Sequence, residues 1–189
     1  MTAVLDVAPV VGRPEAQDTF EVIRPVSTTL VEVLACGAAD RGDDGAGVIA
    51  VGRLADAFPE DVRTRIVGQL DIDDLLSVPA GAGAVVVDTV VGVDPGWIVE
   101  IPFSGLAGRD SGIRPRSSHA LSIPETVAVA SIIRGRPLQG MVVTIGGVDF
   151  GLGEALSWPV AAGMDAFVLA IADAVRRVRH LVQDAASRG

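Results

Sequence analysis

Residues 84–93 read AVVVDTVVGV, a run of β-branched side chains with one carboxylate, Asp88, inside it. Continuous rather than alternating hydrophobicity marks a strand covered on both faces, as in a parallel sheet lying between two layers of helices. Outward from it, TTLVEVLAC (28–36) is a second β-rich run, entering a Gly-rich turn at Gly37. GAGVIAVGRLADAF (45–58) then places Val48, Val51, Leu54, Ala55 and Phe58 at helical spacing, and Pro59 stops that helix. VRTRIVG (62–68) fits a short strand, and DIDDLLSV (71–78) a short helix whose acidic first turn suits the helix dipole. Asp94-Pro95-Gly96 is a turn sequence leading into WIVEIP (97–102), so 84–93 and 97–102 are expected to pair as an antiparallel hairpin. Ser122 with Glu125 is a capping-box pattern for a helix over 123–134, ended by Gly135. MVVTIGG (141–147) is a fifth strand, and 159–185 a long amphipathic helix with Arg176, Arg177, Arg179 and His180 toward its negative end. The expected fold is a three-layer α/β/α sandwich around a five-stranded, mostly parallel sheet with one antiparallel strand.

A length of 189 residues predicts one domain. Residues 1–27 carry no sustained period and are expected to form a mobile N-terminal extension, leaving 28–189 as the domain. The fifteen cations are all Arg, against 24 acids, for a net charge of −9. That balance argues against nucleic acid or an anionic membrane surface as a partner, since both need clustered cations. The single cysteine, Cys36, cannot form an intramolecular disulfide, which fits a reducing compartment. The longest uncharged stretch, Leu75 to Val87, is 13 residues, short of the ~18 needed to span a bilayer, and residues 1–15 lack the basic start of a secretory signal. The expectation is a cytoplasmic protein in which nothing demands more than a monomer.

In such sheets ligands gather at the carboxyl edge of the parallel strands, so the polar residues that fall there matter most. The loop after the first strand, residues 37–47, holds three acids and ends at a helix N-terminus. Its glycine spacing is not GxGxxG and no Gly-Lys-Ser/Thr follows, so neither dinucleotide nor P-loop phosphate binding is supported. Asp43 or Asp44 could act simply as a helix cap. Asp88, near the end of a buried strand, is costly unless it is hydrogen-bonded to a neighbouring loop or holds a metal. The loop of about 17 residues after the fourth strand must climb back to the carboxyl edge, because helix 123–134 has to descend to feed an ascending fifth strand. That return brings in His119, one of two histidines; the alternative is a histidine on a surface loop. Asp44, Asp88 and His119 together would offer two oxygens and one imidazole nitrogen, acceptable to Zn²⁺ or Ni²⁺ with positions left open. Cys36 with His119 is a competing thiol-nucleophile pair, set against the tendency of a free cysteine to be buried. Arg109, Arg114 and Arg116 read as a solvated loop, with steering of an acidic peptide as the alternative. Asp149 reads as a turn residue, Trp97 and Trp158 as core or edge packing, and His180 as a charge suited to a helix C-terminus.

The run VLACGAADRGDDGAGVIAVGRL resembles the opening of hydrogenase maturation proteases: a strand, Gly-Asn, four residues, Asp, Asp or Glu, Gly, one residue, Gly. VVVDTVVGVDPG (85–96), SSHALSIPETV (117–127) and IGGVDFGLGEALSWPV (145–160) resemble that family's second acidic strand, histidine segment and final loop, in the same order. The resemblance covers roughly residues 29–180. It implies an endopeptidase that removes the C-terminal extension of a [NiFe]-hydrogenase large-subunit precursor after nickel insertion. The metal-contacting and catalytic residues would be Asp44, Asp88 and His119, with nickel supplied by the precursor and no organic cofactor. Asp43 matches the neighbouring acid of the motif and is not assigned as a ligand. The family's Asn after the first Gly is Ala38 here, which keeps a second reading alive: a non-catalytic chaperone that checks nickel in the same precursor. A metal-dependent hydrolase of small acidic substrates is disfavoured by the negative charge.

Overall fold

A computed structural model describes residues 30–106, 121–153 and 155–187. The elements are β1 (Val31–Cys36), α1 (Ala46–Leu54), β2 (Val62–Gly68), α2 (Ile72–Leu76), β3 (Gly83–Val90), β4 (Ile98–Pro102), α3 (Ile123–Ile133), β5 (Gly140–Gly146) and α4 (Trp158–Ala186). They follow the expected order, but α1 is flanked by 3-10 turns at Gly42–Gly45 and Ala55–Ala57 rather than running unbroken over 45–58. The expected extension, residues 1–27, lies outside the described residues.

The sheet order is β2-β1-β3-β5-β4, parallel except for the β4–β5 pair. The antiparallel strand is therefore where the sequence suggests, but the expected β3–β4 hairpin does not form, because β5 lies between them. The cause is competition for the open edge of β3. β5 is buried along its whole length, whereas β4 carries the exposed Glu100 and ends in Pro102, which has no N–H to donate to a second neighbour. The edge position suits β4, and the 91–97 connection crosses over the end of β5. A Cβ on Gly146 would lie 2.3 Å from the Asp94 carbonyl oxygen, so only glycine lets the crossing pass this close.

Alternation along the strands builds two cores. Val31, Val33, Val85, Val87, Val143 and Ile145 face α1 and α4, while Leu34, Cys36, Ala84, Val86 and Val142 face α2 and α3. By the same period Asp88 follows Ala84 and Val86 onto the α2/α3 side. α4 buries Val160, Met164, Phe167, Ile171, Val175, Val178 and Val182 at steps of three and four. It is the one helix among the described residues long and apolar enough to cross a membrane, yet this stripe is packed on the sheet.

The α4 cations sit above the final turn and act through ion pairs rather than the helix dipole. Arg176 meets Asp173, Arg177 meets Glu100 on β4, and Arg179 meets Asp61 at 2.7 Å. Of the two placements expected for the tryptophans, core or edge, the core one does not hold. Trp97 is 67% and Trp158 82% exposed, so neither packs in the core.

Candidate active site

Three strand ends converge at the carboxyl edge. β1 stops at Cys36 because Gly37 turns the chain with φ +100°, and a Cβ there would lie 1.9 Å from the Asp44 carbonyl oxygen. A bulge between the ends of β1 and β2 pairs Cys36 with Gly68, and Gly37 N–H donates to the Gly68 carbonyl at 2.6 Å. β3 ends just beyond Asp88. The point between β1 and β3, where the chain order of the sheet reverses, opens into a cavity of about 360 Å³. Asp44 and Asp88 both line it, with Cys36, Ala38, Leu70 and Ser122 also in its wall.

Asp44 stands in the 3-10 turn, not at the cap of α1, which is Gly45 with no side-chain cap bond. Its Oδ2 accepts the Ala38 backbone N–H at 3.2 Å. Asp88 Oδ1 accepts the N–H of Thr89 at 2.8 Å, and its carboxylate is half-buried. The structure thus brings together two of the three site residues expected from sequence. The third, His119, lies outside the described residues, as do Arg109, Arg114 and Arg116. Leu121, Ser122 and Ile123, the residues that follow His119 closely in sequence, line the cavity. They are held there by the expected N-terminal device of α3: the Glu125 carboxylate accepts both the N–H and the Oγ–H of Ser122 at 2.8 Å. These bonds to the ionised form hold the Glu125 carboxyl below its ordinary range. Among the described residues no three His, Cys, Asp or Glu side chains form a metal centre.

Asp43 does something the sequence does not announce. It is fully buried, and burial alone would raise its pKa. Its Oδ2 accepts the N–H groups of Val148 (2.8 Å) and Asp149 (2.9 Å) and the Ser157 hydroxyl (2.9 Å), while Oδ1 accepts Ser157 N–H at 2.7 Å. Those bonds prevail and hold the carboxyl below its ordinary value. Its own backbone carbonyl accepts the Thr89 hydroxyl at 2.7 Å, so one residue ties the acidic turn to β3 and to the final loop. Asp149 is a turn residue, as expected: its Oδ1 accepts Gly151 N–H at 2.9 Å.

Cys36 is only 2% exposed, and burial first, then the Asp88 and Asp74 carboxylates, push its thiol well above the usual range. A protonated thiol is a poor nucleophile. We expect Cys36→Ala to keep at least half of whatever activity the wild-type site has and the native thiol to resist alkylation; loss of activity in a folded variant would restore the thiol reading.

A second depression of about 640 Å³ shares Gln69, Leu70 and Leu121 with the first and continues between α2 and α3 over Ile72, Leu76 and Ile133. The contribution of the end of β2 to both walls has no sequence signature, since it depends on the bulge.

No protein-family model and no curated sequence matches the chain. Among solved structures, the [NiFe] hydrogenase maturation protease HybD from Thermococcus kodakarensis is similar at 27% identity and TM-score 0.57, over 76% of this chain and 98% of that one. The chain has the fold of the hydrogenase maturation proteases and is similar to them. The hydrogenase maturating endopeptidase HybD from E. coli shares the fold at TM-score 0.63 and 17% identity, over 78% of this chain and 92% of that one. The maturation protease HycI from Thermococcus kodakarensis KOD1 gives 0.59 and 19%, over 78% and 93%.

Proposed function

We propose that this chain is a nickel-dependent endopeptidase that removes the C-terminal extension of a [NiFe]-hydrogenase large-subunit precursor in the cytoplasm. The observation that carries the reading is the placement of Asp44 and Asp88, 44 residues apart in sequence, on one cavity at the switch point of a maturation-protease fold. Two carboxylates on the wall of one cavity offer the oxygen donors that suit a divalent cation. Nickel belongs to the substrate here, seated in the precursor beside the scissile bond. Asp44, Asp88 and His119 would contact it there, as the family resemblance implies. Bound nickel polarises the scissile carbonyl as a Lewis acid. A carboxylate of the pair orients the attacking water and takes its proton, and the depression between α2 and α3 receives the chain on one side of the cut. The single cysteine agrees with a reducing compartment.

The test is to mix the protein with nickel-loaded and nickel-free precursor and read C-terminal truncation by intact mass. Truncation with nickel alone supports the proposal. Stable binding with no truncation replaces it with the nickel-checking chaperone, the reading favoured by Ala38 in place of the family's Asn.

Ala38 lines the cavity and its N–H already faces Asp44. Restoring the amide in Ala38→Asn adds a hydrogen-bonding group at the site, and we expect truncation to quicken by about tenfold, the equivalent of one bond of ~1.4 kcal/mol. An unchanged rate would show that the backbone N–H suffices.

A further inference from the structure

Both tryptophans of the chain are largely in water, and they have company. Val91 (62% exposed), Trp97 (67%), Val148 (60%), Leu152 (86%) and Trp158 (82%) all lie at the carboxyl edge of the sheet or in the loops just above it. Backbone contacts join their segments into one surface. Gly147 N–H donates to the Val90 carbonyl at 2.9 Å, setting Val148 beside Val91. A Cβ on Gly96 would lie 2.5 Å from the Pro159 carbonyl oxygen, so the chain at Trp97 abuts the chain at Trp158. Gly42 N–H to the Gly153 carbonyl at 2.6 Å ties Leu152 to the turn that carries Asp44. The Asp43 carboxylate holds the N–H of Val148 and that of Ser157, next to Trp158, so the buried acid that shapes the site also sets this surface. Large apolar groups grouped on rigid loops in water mark an interaction surface, and Trp is the residue most enriched at binding hot spots.

We infer that this apolar collar is the docking surface for the folded body of the protein whose tail enters the cavity. The inference rests on the endopeptidase reading above. Continuity argues for that occupant, since Val91 belongs both to the collar and to the cavity wall. Charge argues against a second copy: Asp40, Asp94 and Asp149 are exposed around the collar and outnumber its exposed cation, Arg41, which is bridged to Gly153, on a chain of net charge −9, so two copies would meet with a surplus of acid on both sides. The complementary partner presents an apolar centre with a cationic rim.

The experiment compares wild type with Trp97→Ala, Trp158→Ala and the double variant, measuring binding of nickel-loaded precursor and the truncation kinetics. Sedimentation of each protein alone and circular dichroism accompany the measurement. Exposed side chains leave the fold intact, so the double variant is expected to bind precursor about 30-fold more weakly, to raise KM by a similar factor and to keep kcat. Wild type that truncates beside a double variant with unchanged KM overturns the collar while the endopeptidase reading stands. Wild type that binds through the tryptophans without cutting upholds the collar and ends the endopeptidase reading. A wild-type dimer that the double variant dissociates assigns the collar to self-association and overturns the inference, as does a wild type that does not bind precursor.

Discussion

Asp88→Asn is expected to yield a folded protein that truncates nickel-loaded precursor at least ~10³-fold more slowly, a loss of about 4 kcal/mol of transition-state stabilisation. The side chain keeps its shape and an oxygen for the Thr89 N–H, but loses the charge that a divalent cation and a proton in transit require. Asp44→Asn should behave alike, retaining an acceptor for the Ala38 N–H, and His119→Ala should join them if the three act as one set. Urea unfolding is expected to move by no more than about 1 kcal/mol for either Asn variant, which separates lost chemistry from lost fold. Truncation by both Asn variants within tenfold of wild type would remove the carboxylate pair from the mechanism.

The largest effect on stability belongs to Asp43. In Asp43→Asn one carboxylate oxygen becomes an NH₂ that must face a backbone N–H, because the two oxygens between them accept from Val148, Asp149 and Ser157. A buried donor left facing a donor, with the loss of charge-assisted bonds, is expected to cost about 3–5 kcal/mol in chemical denaturation. The pH dependence follows from the lowered folded pKa. The unfolded chain holds the Asp43 proton more tightly than the folded one, so the stabilisation is complete above the ordinary carboxylate pKa of about 3.9 and is lost as pH falls through the lower folded value. Wild type should therefore lose stability below about pH 4, and the Asn variant should show a shallower acid limb. A variant as stable as wild type, with the same acid limb, would show that the loop is held by other means. Because Asp43 also carries the turn of Asp44, a folded Asp43→Asn should cut more slowly as well, with the deficit in kcat.

The fold and the site were legible to different depths. The central strand, the capping box at Ser122 and Glu125 and the stripe of α4 are local patterns, and each occurs where the sequence puts it. The grouping of Asp44 with Asp88 followed from connectivity: parallel strands carry their trailing residues to one edge, whatever the packing detail. Local pattern did not separate Asp43 from Asp44, since both are acids in the same loop, and only the family resemblance assigned Asp44 rather than Asp43 to the site. Burial and four donors from a segment over 100 residues away make one structural and leave the other facing the cavity.

By itself the sequence determined the order of strands and helices along the chain, the three-layer architecture and the edge where the acids collect. Periodicity, caps and glycine turns act over a few residues, and a strand apolar on both faces can lie only between helices. Tertiary structure alone decided that β5 rather than β4 pairs with β3, that Asp43 is a buried brace and that both tryptophans face water. Each of those depends on which distant segments compete for the same edge or donor. A seven-residue connection can reach the neighbouring position or the one beyond it, and the choice rests on the burial energy of a strand that is made some forty residues later.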